Sequence, residues 1–324
     1  MPQNNKKVSQ MAPSEKKSIA CIGECMLEIA PAGGGLFKQA FAGDTFNSAV
    51  YLARHFSDEL TVSYITGLGQ DAYSHKMMAA FEEENIRTDA IQIIADRSPG
   101  LYLIENDSSG ERFFHYWRSA SASRYMFDGW TSTDIAKLLR NYDCLYLSGI
   151  SLAILDETQR QNLIEALHTV KQNCFIAYDP NYRANLWPDT DACRKTNKQL
   201  AQLADIALIS KEDHIALWDS ASSGTIAAEW ASWGAKEVVV KDGGADCLIL
   251  TDKNETHVSA QDNITPIDTT GAGDSFAAGY VGARLLGRSP SEAATAAHSI
   301  AAKVIQHRGA IIAQKTRRKN VSDG

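Results

Sequence analysis

Asp268-Thr269-Thr270-Gly271-Ala272-Gly273-Asp274 is the stretch on which the reading of this chain turns. Two glycines flank an alanine, so the backbone there can turn tightly and come close to a ligand. Ser275 follows, and the Ala-rich run over residues 276–286 predicts a helix. A Gly-rich turn opening a helix presents unpaired N–H groups and the positive end of a dipole, a setting that favours an anion. A carboxylate beside such a site is costly unless it takes a proton while the amides hold negative charge. Gly-Ala-Gly-Asp by itself reads better as a tight connection whose Asp caps the helix. The complete seven-residue string, continued by Ser-Phe and a small-residue helix, is much more specific.

Working outward, short apolar runs alternate with amphipathic ones. Strands are predicted at residues 18–24, Cys144–Ser148, Phe175–Asp179, Ile206–Ser210, Glu237–Lys241 and residues 247–250, and helices at residues 157–172, 192–203, 225–233 and 290–307. That alternation implies an α/β fold with a mainly parallel sheet covered on both faces by helices. Residues 91–118 break the pattern. Two extended runs flank Asn106-Asp107-Ser108-Ser109-Gly110, predicting a β-hairpin that projects from the fold as a lid. Within that hairpin His115 and Trp117 alternate away from Tyr116 and Arg118 and are expected to pack. Residues 1–17 and 315–324 are expected to be disordered tails, with one domain over 18–314 and lid segments at about 27–43 and 91–118.

At 324 residues the chain can bury a large core, and 44% hydrophobic with 22% charged residues is ordinary for a globular protein. A net charge of −7 argues against a nucleic-acid surface without excluding an anionic small-molecule substrate. Cys21, Cys25, Cys144, Cys174, Cys193 and Cys247 form no CxxC pair and read as reduced core thiols. No apolar run approaches membrane-spanning length and no secretory h-region is recognisable, so a cytoplasmic location is expected. The eight histidines show no metal-binding spacing. Trp218, Trp230 and Trp233 fall at helical positions and are expected in the core or an interface.

In an open α/β sheet ligands lie at the carboxyl ends of the strands. Gly43, Asp44 and Asn47 follow the first strand's excursion, Arg183 follows Phe175–Asp179, and Lys241, Gly243 and Gly244 follow the next Val-rich strand. With the signature, these fit phosphoryl transfer from a nucleotide.

The signature resembles that of the PfkB, or ribokinase-like, carbohydrate kinases, and Ala42-Gly43-Asp44-Thr45-Phe46-Asn47 resembles that family's N-terminal sugar-binding segment. The similarity spans about residues 18–313. Shorter strings, among them Gly23-Glu24-Cys25-Met26, Gly100-Leu101-Tyr102, Gly110-Glu111-Arg112 and Tyr116-Trp117-Arg118, are similar to the branch acting on 2-keto-3-deoxygluconate. The resemblance implies a ribokinase-like fold and ATP-dependent phosphorylation of that acid to its 6-phosphate. Asp274 would be the base, and the amides of Gly271, Ala272 and Gly273 the anion hole. Lys241, Gly243 and Gly244 would bind the nucleotide; Gly43, Asp44 and Asn47 would bind the sugar hydroxyls. Tyr102, Tyr116, Arg118 and Arg183 would close over the acid, the arginines because a guanidinium grips a carboxylate with two bonds. Cross-strand packing is an equal reading for the two tyrosines.

Implied with ATP are Mg²⁺, a monovalent cation such as K⁺, and a homodimer or higher homo-oligomer formed through the lid. The chain departs from the family at Ala42 and Asp246, where glycines are usual, and it lacks an Asn-x-x-Glu pattern near residues 210–214, which leaves the metal-organising residues unassigned. A neutral-sugar kinase and a non-catalytic nucleotide- or sugar-binding regulator are the competing readings. Arg118 argues against the first and Asp274 against the second.

Overall fold

A computed structural model describes residues 16–106, 112–252 and 254–314. The tails expected at 1–17 and 315–324, apart from the two residues at 16 and 17, and the hairpin turn beyond residue 106, lie outside the described residues.

Along the chain run β1 (Lys17–Ile22), β2 (Met26–Gly33), β3 (Leu36–Ala42), α1 (Asp44–His55), β4 (Leu60–Ile65), β5 (Gly67–Leu68) and α2 (Ala72–Glu83). There follow β6 (Gln92–Ile93), β7 (Gly100–Asn106), β8 (Arg112–Trp117), α3 (Ser132–Leu139), β9 (Cys144–Ser148), α4 (Gly149–Ala153), α5 (Glu157–Val170), β10 (Phe175–Asp179), α6 (Thr190–Leu203), β11 (Ile206–Ser210) and α7 (Lys211–Trp218). The chain continues through α8 (Ser223–Trp233), β12 (Glu237–Lys241), β13 (Cys247–Thr251), β14 (Asn254–Val258), α9 (Ala272–Leu285) and α10 (Pro290–Val304).

The main sheet has eight strands in the order β14-β13-β12-β11-β10-β9-β1-β4. From β4 to β12 every pairing is parallel; β13 and β14 complete the edge antiparallel. Its strands are continuous apolar runs because both faces are covered. Ala20, Ile22, Leu145 and Leu147 pack toward α3, α5, α6 and α8, while Ile19, Cys21, Cys144 and Tyr146 pack toward α1, α2, α9 and α10. All six cysteines are free and buried. Trp230 is buried, with Trp218 and Trp233 packed partly buried against the same core.

The chain leaves β1 toward β4 on one side and returns through β9 on the other. This reversal opens a crevice at the carboxyl ends of the strands. A second sheet, ordered β3-β2-β7-β8, projects as the lid. Its hairpin pairs Tyr102 with Tyr116 and Leu103 with His115. The lid segment expected from residue 91 begins, as sheet, only at Gly100; β6 pairs instead with β5 in a separate two-stranded ribbon. Met26, Ala30, Ala42, Tyr102 and Ile104 form a small core on the lid's inner face. The outer face differs from expectation. Trp117 is 60% exposed, Phe113 and Phe37 are exposed too, and His115, also exposed, meets Glu105 across the strand pair. No layer of the described chain covers that side, so alternation sent these side chains outward rather than into packing. No helix of the described residues is long and apolar enough to cross a membrane.

Candidate active site

A cavity of about 1330 Å³ lies between the lid and the strand ends. That exceeds an ordinary single-ligand pocket and leaves room for two substrates side by side. Its lining includes Glu24 after β1, Asp44 and Asn47 at the start of α1, Tyr116 and Arg118 from the lid, Asp179 and Arg183 at the end of β10, Lys241 at the end of β12, and residues 269–274.

The signature turn is shaped by Gly271, whose φ of +77° is left-handed backbone. A Cβ there would also lie 2.8 Å from the carbonyl oxygen of Ala310. Helix α9 begins at Ala272, four residues earlier than the Ala-rich run suggests, and Gly271 is its cap residue. Asp274 is therefore inside the first turn and does not cap. Its Oδ2 accepts a 2.7 Å hydrogen bond from Asn47 Nδ2 on α1. Enclosure at the cavity floor and the charges of Asp44 and Asp179 push the Asp274 carboxyl up to about 7, against opposing pulls from Asn47 and Lys241. A carboxyl poised near neutrality beside helix amides is equipped to accept a proton from a bound hydroxyl. Of the three signature amides, one is already engaged. The N–H of Ala272 donates to Thr269 O at 3.1 Å, within the loop itself. The N–H groups of Gly271 and Gly273 have no such partner among the described residues.

Lys241 Nζ sits 2.7 Å from Asp179 Oδ2 and close to Gly273. Burial raises the Asp179 carboxyl, and the ammonium of Lys241 opposes that rise. Gly243 and Gly244 lie in the turn between β12 and β13 and do not line the cavity; Gly243 has a positive φ of 55°. Gly43 precedes α1 with extended backbone, and a Cβ there would overlap Glu24 O at 2.1 Å. Asp44 Oδ2 accepts from Asn181 Nδ2 at 2.8 Å, which fixes its carboxylate across the crevice.

On the lid, Tyr102 is buried and donates to Glu28 at 2.5 Å, so it is a packed, hydrogen-bonded residue. Tyr116 is half-exposed above it, ring centroids 5.7 Å apart. Arg118 is not a bare cation. It forms an ion pair with Glu24, both side chains nearly closed off from solvent. Glu24 follows β1 directly, and the sequence marks it by its place in Gly23-Glu24-Cys25-Met26 without giving it a role. Beside that contact, Arg118 Nε has no hydrogen-bond partner among the described residues. Arg183, half-exposed, reaches both oxygens of Asp213 at 3.3 Å. Asp268, the other signature carboxylate, accepts from Arg112, Thr270 and Gly309. Burial alone would raise its carboxyl, but these donors hold it below the usual aspartate range. Neither the Glu24–Arg118 pair nor the Arg112–Asp268 pair was legible in the sequence, because the partners are far apart along the chain. Among the described residues no group of three or more His, Cys, Asp or Glu could hold a metal ion.

A two-substrate crevice at the switch point, a near-neutral carboxyl and a helix N-terminus beside it define a phosphotransferase-type site on this fold. Residues 16–317 match the pfkB family carbohydrate kinases, and the chain belongs to that family. It is 42% identical over 304 residues to 2-dehydro-3-deoxygluconokinase of Escherichia coli (strain K12), covering 91% of this chain and 97% of that protein. The protein of the same name from Dickeya dadantii is 40% identical over 91% of this chain and 97% of its own length. Among solved structures, a candidate ribokinase II from Escherichia coli in complex with ATP and Mg²⁺ superposes with a TM-score of 0.77 at 20% identity, over 91% of this chain and 94% of that one, which shows the shared fold.

Proposed function

We propose that this chain transfers the γ-phosphoryl group of ATP to the 6-hydroxyl of 2-keto-3-deoxy-D-gluconate. The observation that carries the acceptor is the lid guanidinium of Arg118, which lines the cavity where a sugar acid would lie and is held there by Glu24. Near-full-length identity to relatives named for this reaction supports it. Asn47 orients Asp274, which accepts the proton of the 6-hydroxyl as its oxygen attacks phosphorus and ADP leaves. The amides of Gly271 and Gly273 and the N-terminus of α9 face the charge that builds on the transferred group. Lys241 shares its charge between Asp179 and the same region. Asp44 and Asn181 orient sugar hydroxyls, and Tyr116 with Arg183 covers the acid.

Mg²⁺, bound with ATP, would neutralise the β- and γ-oxygens. Glu212, in the first turn of α7 at the cavity edge, fits a metal held mainly by phosphates, water and one or two carboxylates, while Asp213 beside it is paired with Arg183. A monovalent cation fits less well. The signature's spare carboxylate, Asp268, is already committed to a guanidinium and to Thr270 and Gly309, so no step is routed through such an ion. The uncovered apolar outer face of the lid, with Phe37, Phe113 and Trp117 exposed, supports a homodimer formed there. The reactants and product belong to the cytoplasm, which is the location we assign.

Acceptor-dependent ADP formation by the wild-type chain and by Asp274→Asn tests the reaction. Loss of acceptor-dependent turnover in the variant is expected. ADP release without acceptor, or at an unchanged rate in Asp274→Asn, overturns the mechanism.

A further inference from the structure

Arg112 opens β8 on the face of the lid that also carries Phe114, Tyr116 and Arg118, yet it takes no part in the reaction as described. Its Nη1 lies 2.7 Å from both carboxylate oxygens of Asp268 and 3.0 Å from Thr270 Oγ1. Asp268 is buried, and its remaining partners are the N–H and hydroxyl of Thr270 and the N–H of Gly309. One carboxylate thus gathers three segments: the lid strand, the signature loop, and the loop after α10. Gly309 is followed by Ala310, whose backbone stands directly against Gly271. The peptide that forms the anion hole is therefore backed by a loop that Asp268 anchors.

We propose that Arg112 is a positioning residue for phosphoryl transfer, fixing the lid strand over the acceptor and, through Asp268, the Gly271 peptide against the transferred group. The inference rests on the kinase reading above. Both contacts come from a single nitrogen, so a positive charge at that point matters more than the two-pronged shape of the guanidinium. A lysine should accordingly serve in part. Removing the cation leaves a buried carboxylate with only neutral donors, which frees the lid end and loosens the loop. Acceptor affinity and the rate of transfer should then suffer together, because one pair holds both.

The test compares wild type, Arg112→Ala, Arg112→Lys, Asp268→Asn and the Arg112→Ala/Asp268→Asn double variant, assayed with Mg·ATP and the keto acid beside thermal unfolding. The loss of a partly buried charged hydrogen bond predicts a fall in kcat/KM of about tenfold to a hundredfold in Arg112→Ala, with kcat lowered and KM for the acid raised. Arg112→Lys should recover much of it, millimolar guanidinium ion should partly rescue Arg112→Ala, and the double variant should be no worse than Asp268→Asn. A lowered unfolding temperature with kcat/KM within twofold of wild type, strictly additive losses, or equal defects in the Ala and Lys variants would each overturn the proposal. A wild-type chain inert toward every acceptor would overturn the functional reading and this inference with it, whereas an active wild type beside an equally active Arg112→Ala overturns the inference alone.

Discussion

Replacing Asp274 with Asn should inactivate the protein and, above neutral pH, make it more stable. The folded carboxyl sits at about 7 against an ordinary 3.8, because enclosure and the neighbouring Asp44 and Asp179 disfavour its charge. The folded chain therefore holds a proton there that the unfolded chain has already lost. Stability falls as pH rises from about 4 to about 7, and the whole penalty is present above that window. At about 1.4 kcal/mol per pH unit the raised carboxyl costs at most about 4 kcal/mol. Asp274 is partly open to the cavity, and water there screens the effect, so about 1–3 kcal/mol is the expected gain. Asn47 can still donate to the amide oxygen of Asn, so the substitution leaves no orphaned donor. For a chain of this size that gain corresponds to a rise in unfolding temperature of about 1.5–4.5 °C at pH 8. Calorimetry of ligand-free wild type and Asp274→Asn at pH 8 and pH 5 makes the measurement. The difference should shrink markedly at pH 5. A variant no more stable than wild type at pH 8, or a gain independent of pH, would refute the account of why this carboxyl is raised.

The same carboxyl sets the pH profile of catalysis. The kcat/KM for the acceptor should fall about tenfold per unit below pH 7, as the free enzyme's base becomes protonated, and a flat profile down to pH 5 would exclude Asp274 as that base. Arg118→Gln removes the guanidinium from the cavity lining and leaves Glu24 buried without its cation. It should cost about a hundredfold or more in kcat/KM for the keto acid, as measured against wild type under matched Mg·ATP, without improving any neutral sugar. Turnover with the potassium salts replaced by tetramethylammonium should stay within about twofold of wild-type rates, because Arg112 already balances Asp268; an activity that vanishes without potassium would contradict that reading.

Much of the scaffold was readable because burial on both faces leaves a plain mark. The strands at Cys144–Ser148, Phe175–Asp179, Ile206–Ser210 and Glu237–Lys241 coincide with uninterrupted apolar runs, and their ends place Asp179 and Lys241 where the cavity needs polar groups. The start of α9 was less legible. Its first turn is Ala-Gly-Asp, in which Gly273 and Asp274 are weak helix formers, and Gly271 with the loop around Ala310 sets its start. What sequence could not show were pairings between distant residues. Arg118 carries no local sign of the Glu24 found against it, Asn47 none of its bond to Asp274, and Arg112 none of Asp268. The outward lid residues deceived for a related reason. Alternation tells which side chains share a face, and the covering layer decides whether that face packs.

The central claim is that this site moves phosphate from ATP to a 2-keto-3-deoxy sugar acid, the choice of acceptor resting on Arg118. Its most direct test is kcat/KM for 2-keto-3-deoxy-D-gluconate, fructose and ribose on one preparation with saturating Mg·ATP. The account predicts that the acid is preferred by about a thousandfold or more, since only the acid brings the Arg118 guanidinium a second carboxylate beside Glu24. Equal or better turnover of fructose or ribose would contradict it.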